Sequence, residues 1–164
     1  VRALCAAAQD AAQKLGFQCR MLTDCLDCEA REAWRFLASI ARSHQQTERP
    51  LAFFAGGETV VHLTGQGLGG RNQELALAAA PGLRGTQNTA VCSFGSDGTD
   101  GPTDAAGGFV DQSSDAALRA AGLDVPQVLA KNDAYHALQR IGGLLMTGPT
   151  GTNVNDLAMV LIWR

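Results

Sequence analysis

The sequence predicts a layered α/β/α domain built on a mixed, mainly parallel sheet. Three observations lead there. Short apolar runs of strand length alternate with segments of helical period. The run Leu157 to Trp163 is apolar on both faces, as a strand in the middle of a sheet must be. Three glycine-rich loops follow predicted strands, the place where open α/β sheets bind ligands.

Each element has its own signal. Leu4, Ala7, Ala8, Ala11, Ala12 and Leu15 form one helical stripe, stopped by Gly16. Phe17 to Leu22 reads as a strand, and Ala30, Ala33, Trp34, Leu37 and Ala41 as a second helix with Asp27 as its cap. Leu51 to Ala55 is a short buried strand. Thr59 to Thr64 reads as another, joined to it through Gly56-Gly57-Glu58 as a hairpin. A helix then runs from about Arg71 to Ala80 and ends at Pro81-Gly82. Thr89 to Phe94 is a strand, Phe109-Val110 a shorter one, and Ser113 or Ser114 caps a helix reaching Ala121. Asp133 caps another that ends near Gly142, and Leu144 to Met146 leads into the last loop before the closing strand.

The 164 residues suit a single domain, 1–164, with enough buried surface to need no metal or disulfide staple. Net charge is -3, and only Lys14 and Lys131 among thirteen basic residues are lysine. No basic stripe is present, which argues against nucleic acid as a partner. The longest apolar run has seven residues, far short of the ~20 that span a bilayer. Five cysteines cannot all pair, and so sparse and odd a set suits a reducing compartment, the cytoplasm or the mitochondrion. Cys25 and Cys28 form a C-x-x-C with no second ligand pair at zinc spacing; they read as two small residues in a loop before a helix.

The chemistry lies in the loops. In the first, residues 65–74, Gly69 and Gly70 free the backbone at a helix start that favours an anion, and Arg71 adds a fork matching phosphate or carboxylate. The alternative is an ion pair from Arg71 to Glu58 or Glu74. In the second, Asp97, Asp100 and Asp104 fall within eight residues, and no lysine or arginine occurs from Gly85 to Leu118. Carboxylates so grouped call for a cation such as magnesium, completed by phosphate oxygens, unless they only cap turns. In the third, Thr147, Thr150, Thr152, Asn153 and Asn155 offer hydroxyls and amides suited to polyol or phosphate oxygens. A P-loop kinase is excluded because no G-x-x-x-x-G-K-[ST] is present, and His44, His62 and His136 have no local nucleophile partner.

These blocks together resemble the MOFRL domain, the C-terminal half of the type II glycerate kinases, some of which carry the older label hydroxypyruvate reductase. The resemblance rests on Gly56-Gly57-Glu58-Thr59, Gly69-Gly70-Arg71-Asn72-Gln73-Glu74, Asp97-Gly98 with Asp100 to Gly107, Asn132-Asp133 with Tyr135, and Thr147 to Asp156, in that order over most of residues 17–164. Where the family has Ser and Gly in a D-S-L-E-G-E-A-R stretch, this chain has Cys25 and Cys28, which supports treating the C-x-x-C as incidental.

The resemblance implies ATP-dependent, magnesium-assisted phosphorylation of D-glycerate, with 2-phosphoglycerate as the usual product. It places the active site between two domains, so these residues would be the C-terminal part of a larger enzyme and inactive alone, with the N-terminal domain or a second copy as partner. Arg71, Asp97 and Asp104 are the expected catalytic residues. Gly69, Gly70, Asn72, Glu74, Thr150, Thr152, Asn153 and Asn155 are expected to bind substrate or nucleotide, and Asp97 and Asp100 the metal. A stand-alone anion-binding module, or a structural half without catalysis, is the other reading of the same loops.

Overall fold

A computed structural model describes all residues 1–164 and resolves the periodic segments into six helices and six strands. In chain order these are α1 (Arg2–Lys14), β1 (Gln18–Leu26), α2 (Ala30–Ser43), β2 (Leu51–Gly57), α3 (Arg71–Ala79), β3 (Thr89–Gly95), β4 (Gly107–Asp111), α4 (Ser114–Ala120), α5 (Val125–Ala130), α6 (Ala134–Arg140), β5 (Leu144–Leu145) and β6 (Asp156–Ile162). A 3-10 turn, Ala80–Leu83, closes α3 at the expected Pro81.

The strands form one sheet in the order β1-β2-β6-β3-β4-β5. The α/β class, the mixed sheet and the central place of the last strand are as the sequence predicts. The balance within the sheet is not. Only β1 and β2 pair in parallel; β6 lies antiparallel to both β2 and β3, and β4 and β5 continue antiparallel. The β2-α3-β3 segment reads as a parallel crossover along the chain, but β6 inserts between its two strands. Periodicity carries no information about that insertion.

The hairpin predicted at Gly56-Gly57-Glu58 is absent. Both glycines belong to β2, and Thr59–Thr64 is irregular apart from a single bridge between Val60 and Glu29. The glycines serve close approach instead: a Cβ on Gly57 would lie 2.7 Å from the Leu26 carbonyl carbon, and one on Gly56 2.7 Å from the Val1 side chain. Helix α2 is preceded by Glu29, not Asp27. Helix α5 lies outside the sequence-predicted elements; its signals are Asp124, accepting from the Gln127 amide, and Pro126 in the first turn.

The larger core lies on one face of the sheet, where Leu37, Leu75, Leu77, Leu83 and Leu138 are fully enclosed between strands and α2 to α6. Each such side chain contributes about 2 kcal/mol from its burial. The other face is covered by α1, through Cys5 and Ala12 against Phe54 and Leu157. Helix α3 is enclosed on all sides, with every residue from Asn72 to Ala79 buried. Its first turn is nonetheless polar, so Asn72, Gln73 and Glu74 must find partners inside the protein.

Candidate functional site

The last rung of the sheet consists of Gly57, Asp156 and Gly95, paired side by side. Because β2 and β3 run in one direction and β6 in the other, two loops leave this rung and a third arrives at it. All three glycine-rich loops therefore meet at one end of the sheet. The third loop does so by entering the amino end of β6, not by leaving a carboxyl end.

Arg71 begins α3 beside this rung. Its Nε donates to Asp156 Oδ2 at 2.5 Å and its Nη2 to Asp156 Oδ1 at 3.2 Å, while Nη1 donates to Glu58 Oε1 at 2.8 Å. Those hydrogen bonds to Asp156 are the main cause holding its pKa above the ordinary arginine value. Of the two ion-pair partners weighed for Arg71 from sequence, Glu58 is real and Glu74 is not. The Arg71 side chain is about one-third exposed, and each terminal nitrogen keeps an uncommitted N–H. A Cβ on Gly95 would lie 3.1 Å from Asp97 Oδ1 and 3.4 Å from Asp156 Oδ1, which places both carboxylates over the same glycine.

Asp100 faces elsewhere. It is buried, and its carboxylate accepts from the Asn72 amide at 3.1 Å, the Gln73 amide at 2.8 Å and Asn72 Nδ2 at 3.2 Å. The anion expected at the α3 amino end is thus supplied by the chain itself. Burial pushes the Asp100 pKa up to about 6, against the opposing pull of these hydrogen bonds. Asn72 is interior too, its Oδ1 accepting from Ser93 Oγ at 2.6 Å. Gln73 Nε2 donates to Thr103 Oγ1 at 2.7 Å, and Gln73 Oε1 has no partner.

The first loop is held from behind by the α5–α6 junction. Asn132, at φ +53°, accepts from the amides of Thr64 at 2.7 Å and Gly65 at 2.8 Å. Asp133 Oδ1 accepts from the Leu68 amide at 3.0 Å, and the Tyr135 amide donates to the Leu68 carbonyl at 2.9 Å. A Cβ on Gly65 would lie 2.5 Å from Lys131 Cα, and one on Gly67 2.6 Å from the Lys131 carbonyl oxygen. These glycines permit backbone to pack on backbone. The amides of Gly69, Gly70 and Arg71 make no hydrogen bond within the chain.

The second and third loops are joined to each other. Thr150 Oγ1 donates to the Ser96 carbonyl at 2.5 Å, its amide donates to the Asp97 carbonyl at 3.0 Å, and the Val154 amide donates to Ser96 Oγ at 2.8 Å. Asn155 takes φ +75° and accepts from the Ser96 amide, while Thr152 and Asn153 are exposed. Asp104 is also exposed and accepts from the Tyr135 hydroxyl at 2.8 Å.

A cleft of about 690 Å³ opens against the first loop, lined by Arg71, Glu58, Gly69, Gly70, Asn132 and the apolar Val60, Val61 and Leu63, among others. Leu63 is 81% exposed there. A second cleft, of about 560 Å³, lies away from the loops between Leu123, Val128, His136 and Arg140. The sheet end therefore brings together Arg71, Gly69, Gly70 and Asp97 with the Thr150–Asn155 segment. Asp100 and Asn72 are drawn inside to build α3, and Glu74 is committed to Arg31 and Asn132. No group of three His, Cys, Asp or Glu side chains is gathered closely enough to hold a metal unaided. Cys25 and Cys28 are exposed and unpaired. Asp156 is a site residue absent from the sequence-predicted set. Its signal was a lone carboxylate at the entrance of a buried strand, which needs a cationic partner.

Fold and site together define an α/β domain that presents a charged, glycine-lined cleft at one end of its sheet. The chain belongs to the MOFRL family, whose sequence model matches residues 51–156. It is 55% identical over 166 residues to a D-glycerate 2-kinase of Thermotoga maritima, covering 99% of this chain and 40% of that protein. With a glycerate 2-kinase of Pyrococcus horikoshii it shares 44% identity over 163 residues, 96% of this chain and 37% of the relative. The crystal structure of a glycerate kinase from Thermotoga maritima superposes with a TM-score of 0.94 at 55% identity, over 99% of this chain and 40% of that one. The chain thus spans about two fifths of the length of the curated relatives it matches.

Proposed function

We propose that this domain forms one wall of the active site of a glycerate kinase, which transfers phosphate from ATP to D-glycerate and yields 2-phosphoglycerate. Arg71, held on the cleft wall by Asp156 and Glu58 with donors to spare, is the observation that carries the reading. The names of the relatives support it. The remainder of the site would come from an N-terminal domain, which makes that domain the partner of this one.

Phosphoryl transfer needs positioning and charge neutralisation more than covalent chemistry from the protein. Arg71 would present its free N–H groups to the glycerate carboxylate or the transferring phosphoryl, with its plane fixed by Asp156. The unbonded amides of Gly69 and Gly70 would meet phosphate or hydroxyl oxygens beside it. Thr150, Thr152, Asn153 and Asn155 would line the adjoining wall, and Asp104 would orient a substrate hydroxyl from the outer edge.

The donors at the rung are oxygen-only, which suits magnesium bound through one or two carboxylates with phosphate completing the shell. Asp97, next to Asp156 over Gly95, is the residue that would hold it; Asp100 spends its oxygens on α3. Bound there, magnesium would neutralise phosphate charge.

The test is a coupled ADP-release assay on the complete enzyme with D-glycerate, the product assigned by phosphorus NMR. Turnover that needs magnesium and collapses in Arg71→Lys is expected. A complete enzyme that binds phosphate or glycerate without turnover would put the anion-binding module in its place.

A further inference from the structure

The 62–67 segment of the cleft wall has no secondary structure of its own; besides bonds from Thr64 Oγ1 to the Ala130 carbonyl and from the Gly67 amide to the Lys131 carbonyl, it is held by a line of largely buried polar groups. Arg31 on α2 donates through Nε to Glu74 Oε1 at 2.5 Å and through Nη2 to the Leu129 carbonyl at 2.8 Å. Glu74, whose side chain is 4% exposed, accepts from Asn132 Nδ2 at 3.3 Å through its other oxygen. Asn132 Nδ2 also donates to the His62 carbonyl at 3.2 Å, and its Oδ1 takes the amides of Thr64 and Gly65.

The polarity of this line is forced. Arginine only donates and a carboxylate only accepts, so the side-chain amide of Asn132 must turn its nitrogen to Glu74. Its oxygen then faces the loop, where two backbone N–H groups require an acceptor. A carboxamide at position 74 would remove the constraint, because it offers a donor as well as an acceptor. Either it meets Arg31 or Asn132 donor to donor, or Asn132 turns over and opposes the loop amides.

We infer that Glu74, oriented by Arg31, is a positioning residue that acts through Asn132 to set the 62–67 wall of the cleft. Neither side chain needs to touch a ligand. The consequence for substrate binding rests on the kinase reading, whereas the mechanical role does not.

Amide hydrogen exchange on this chain reads the mechanical role. Glu74→Gln is expected to speed exchange at Thr64 and Gly65 about tenfold or more, leaving the Asn72 and Gln73 amides, which Asp100 holds, unchanged. Asn132→Gly, which tolerates the positive φ, should do the same, and the double variant should add nothing to it. Unchanged exchange at Thr64 and Gly65, additive effects, or a uniform rise across α3 would each overturn the proposal. In the complete enzyme, Glu74→Gln should raise the KM of at least one substrate about fivefold while kcat holds, and Glu74→Asp should recover part of it. An active enzyme with unchanged KM values would sink the positioning role. An inactive wild type with the exchange pattern intact would sink only the kinase reading.

Discussion

A Cβ on Gly70 would lie 2.5 Å from Asp100 Oδ1, so the glycine loop and the cap of α3 are packed as one unit. The first loop cannot move at Gly70 without disturbing the helix that carries Arg71. Gly70→Ala should therefore destabilise the domain by about 1–3 kcal/mol, the usual cost of forcing a methyl into a filled site. Urea unfolding would show it as a lower midpoint at constant slope. Gly122→Ala isolates backbone strain from crowding: its φ is positive, at +74°, where that of Gly70 is -142°, and nothing lies within 4 Å of its Cβ position.

Arg71 offers a second prediction. Arg71→Lys keeps the charge beside Asp156 but loses the fork, so activity of the complete enzyme should fall about a hundredfold with the melting temperature almost unchanged. Arg71→Ala leaves Asp156 buried without a cation and should cost about 3–5 kcal/mol of stability. Calorimetry and the ADP-release assay on the two variants separate the effects. A lysine variant of normal activity and much lower melting temperature would make Arg71 a structural partner only.

The pH dependence follows from Asp100. Its folded pKa, about 6, lies above the ordinary value of 3.8 because burial disfavours the charged form. The folded state then holds this proton more tightly than the unfolded chain does. Its contribution to stability is full below about pH 4 and is lost as pH rises through about 6. Asp100→Asn should flatten the stability profile between those two values, measured by urea unfolding at successive pH. An unchanged slope in the variant would exclude Asp100 as its source.

The domain alone should fold and yet show no glycerate phosphorylation, because the reacting groups expected from an N-terminal domain are not among its residues. Mixing it with a separately expressed N-terminal half should restore some activity. Sedimentation that shows no complex, with no activity on mixing, would favour the stand-alone binding module.

Much of this architecture was legible in the residues. The stripe of α1, the apolar run of β6 and the loops at Gly69-Gly70-Arg71 and Thr147–Asp156 all reside where pattern and composition place them. Pairing order was not legible, because nothing within Leu157–Trp163 says that its neighbours are β2 and β3. The roles of the aspartates were equally hidden. Asp97 and Asp100 look alike along the chain, but one sits over Gly95 and the other turns inward to α3. Their division depends on the path of the loop between them, which is a tertiary property. Asn132 carried a hint in its sequence context and acquires meaning only through Thr64 and Gly65, far away in the chain.

The insertion of β6 between β2 and β3 bears on how the protein is made. Residues 156–162 leave the ribosome after the other five strands of this sheet, so β1–β2 and β3–β4–β5 emerge as two half-sheets with nothing yet between them. Until β6 arrives, the facing edges of β2 and β3 are open ladders, able to pair with the wrong chain as readily as with the right one. Nascent chains of this protein should consequently lean on chaperones until β6 has been made, and deleting β6 should produce aggregates in place of a slightly weaker domain.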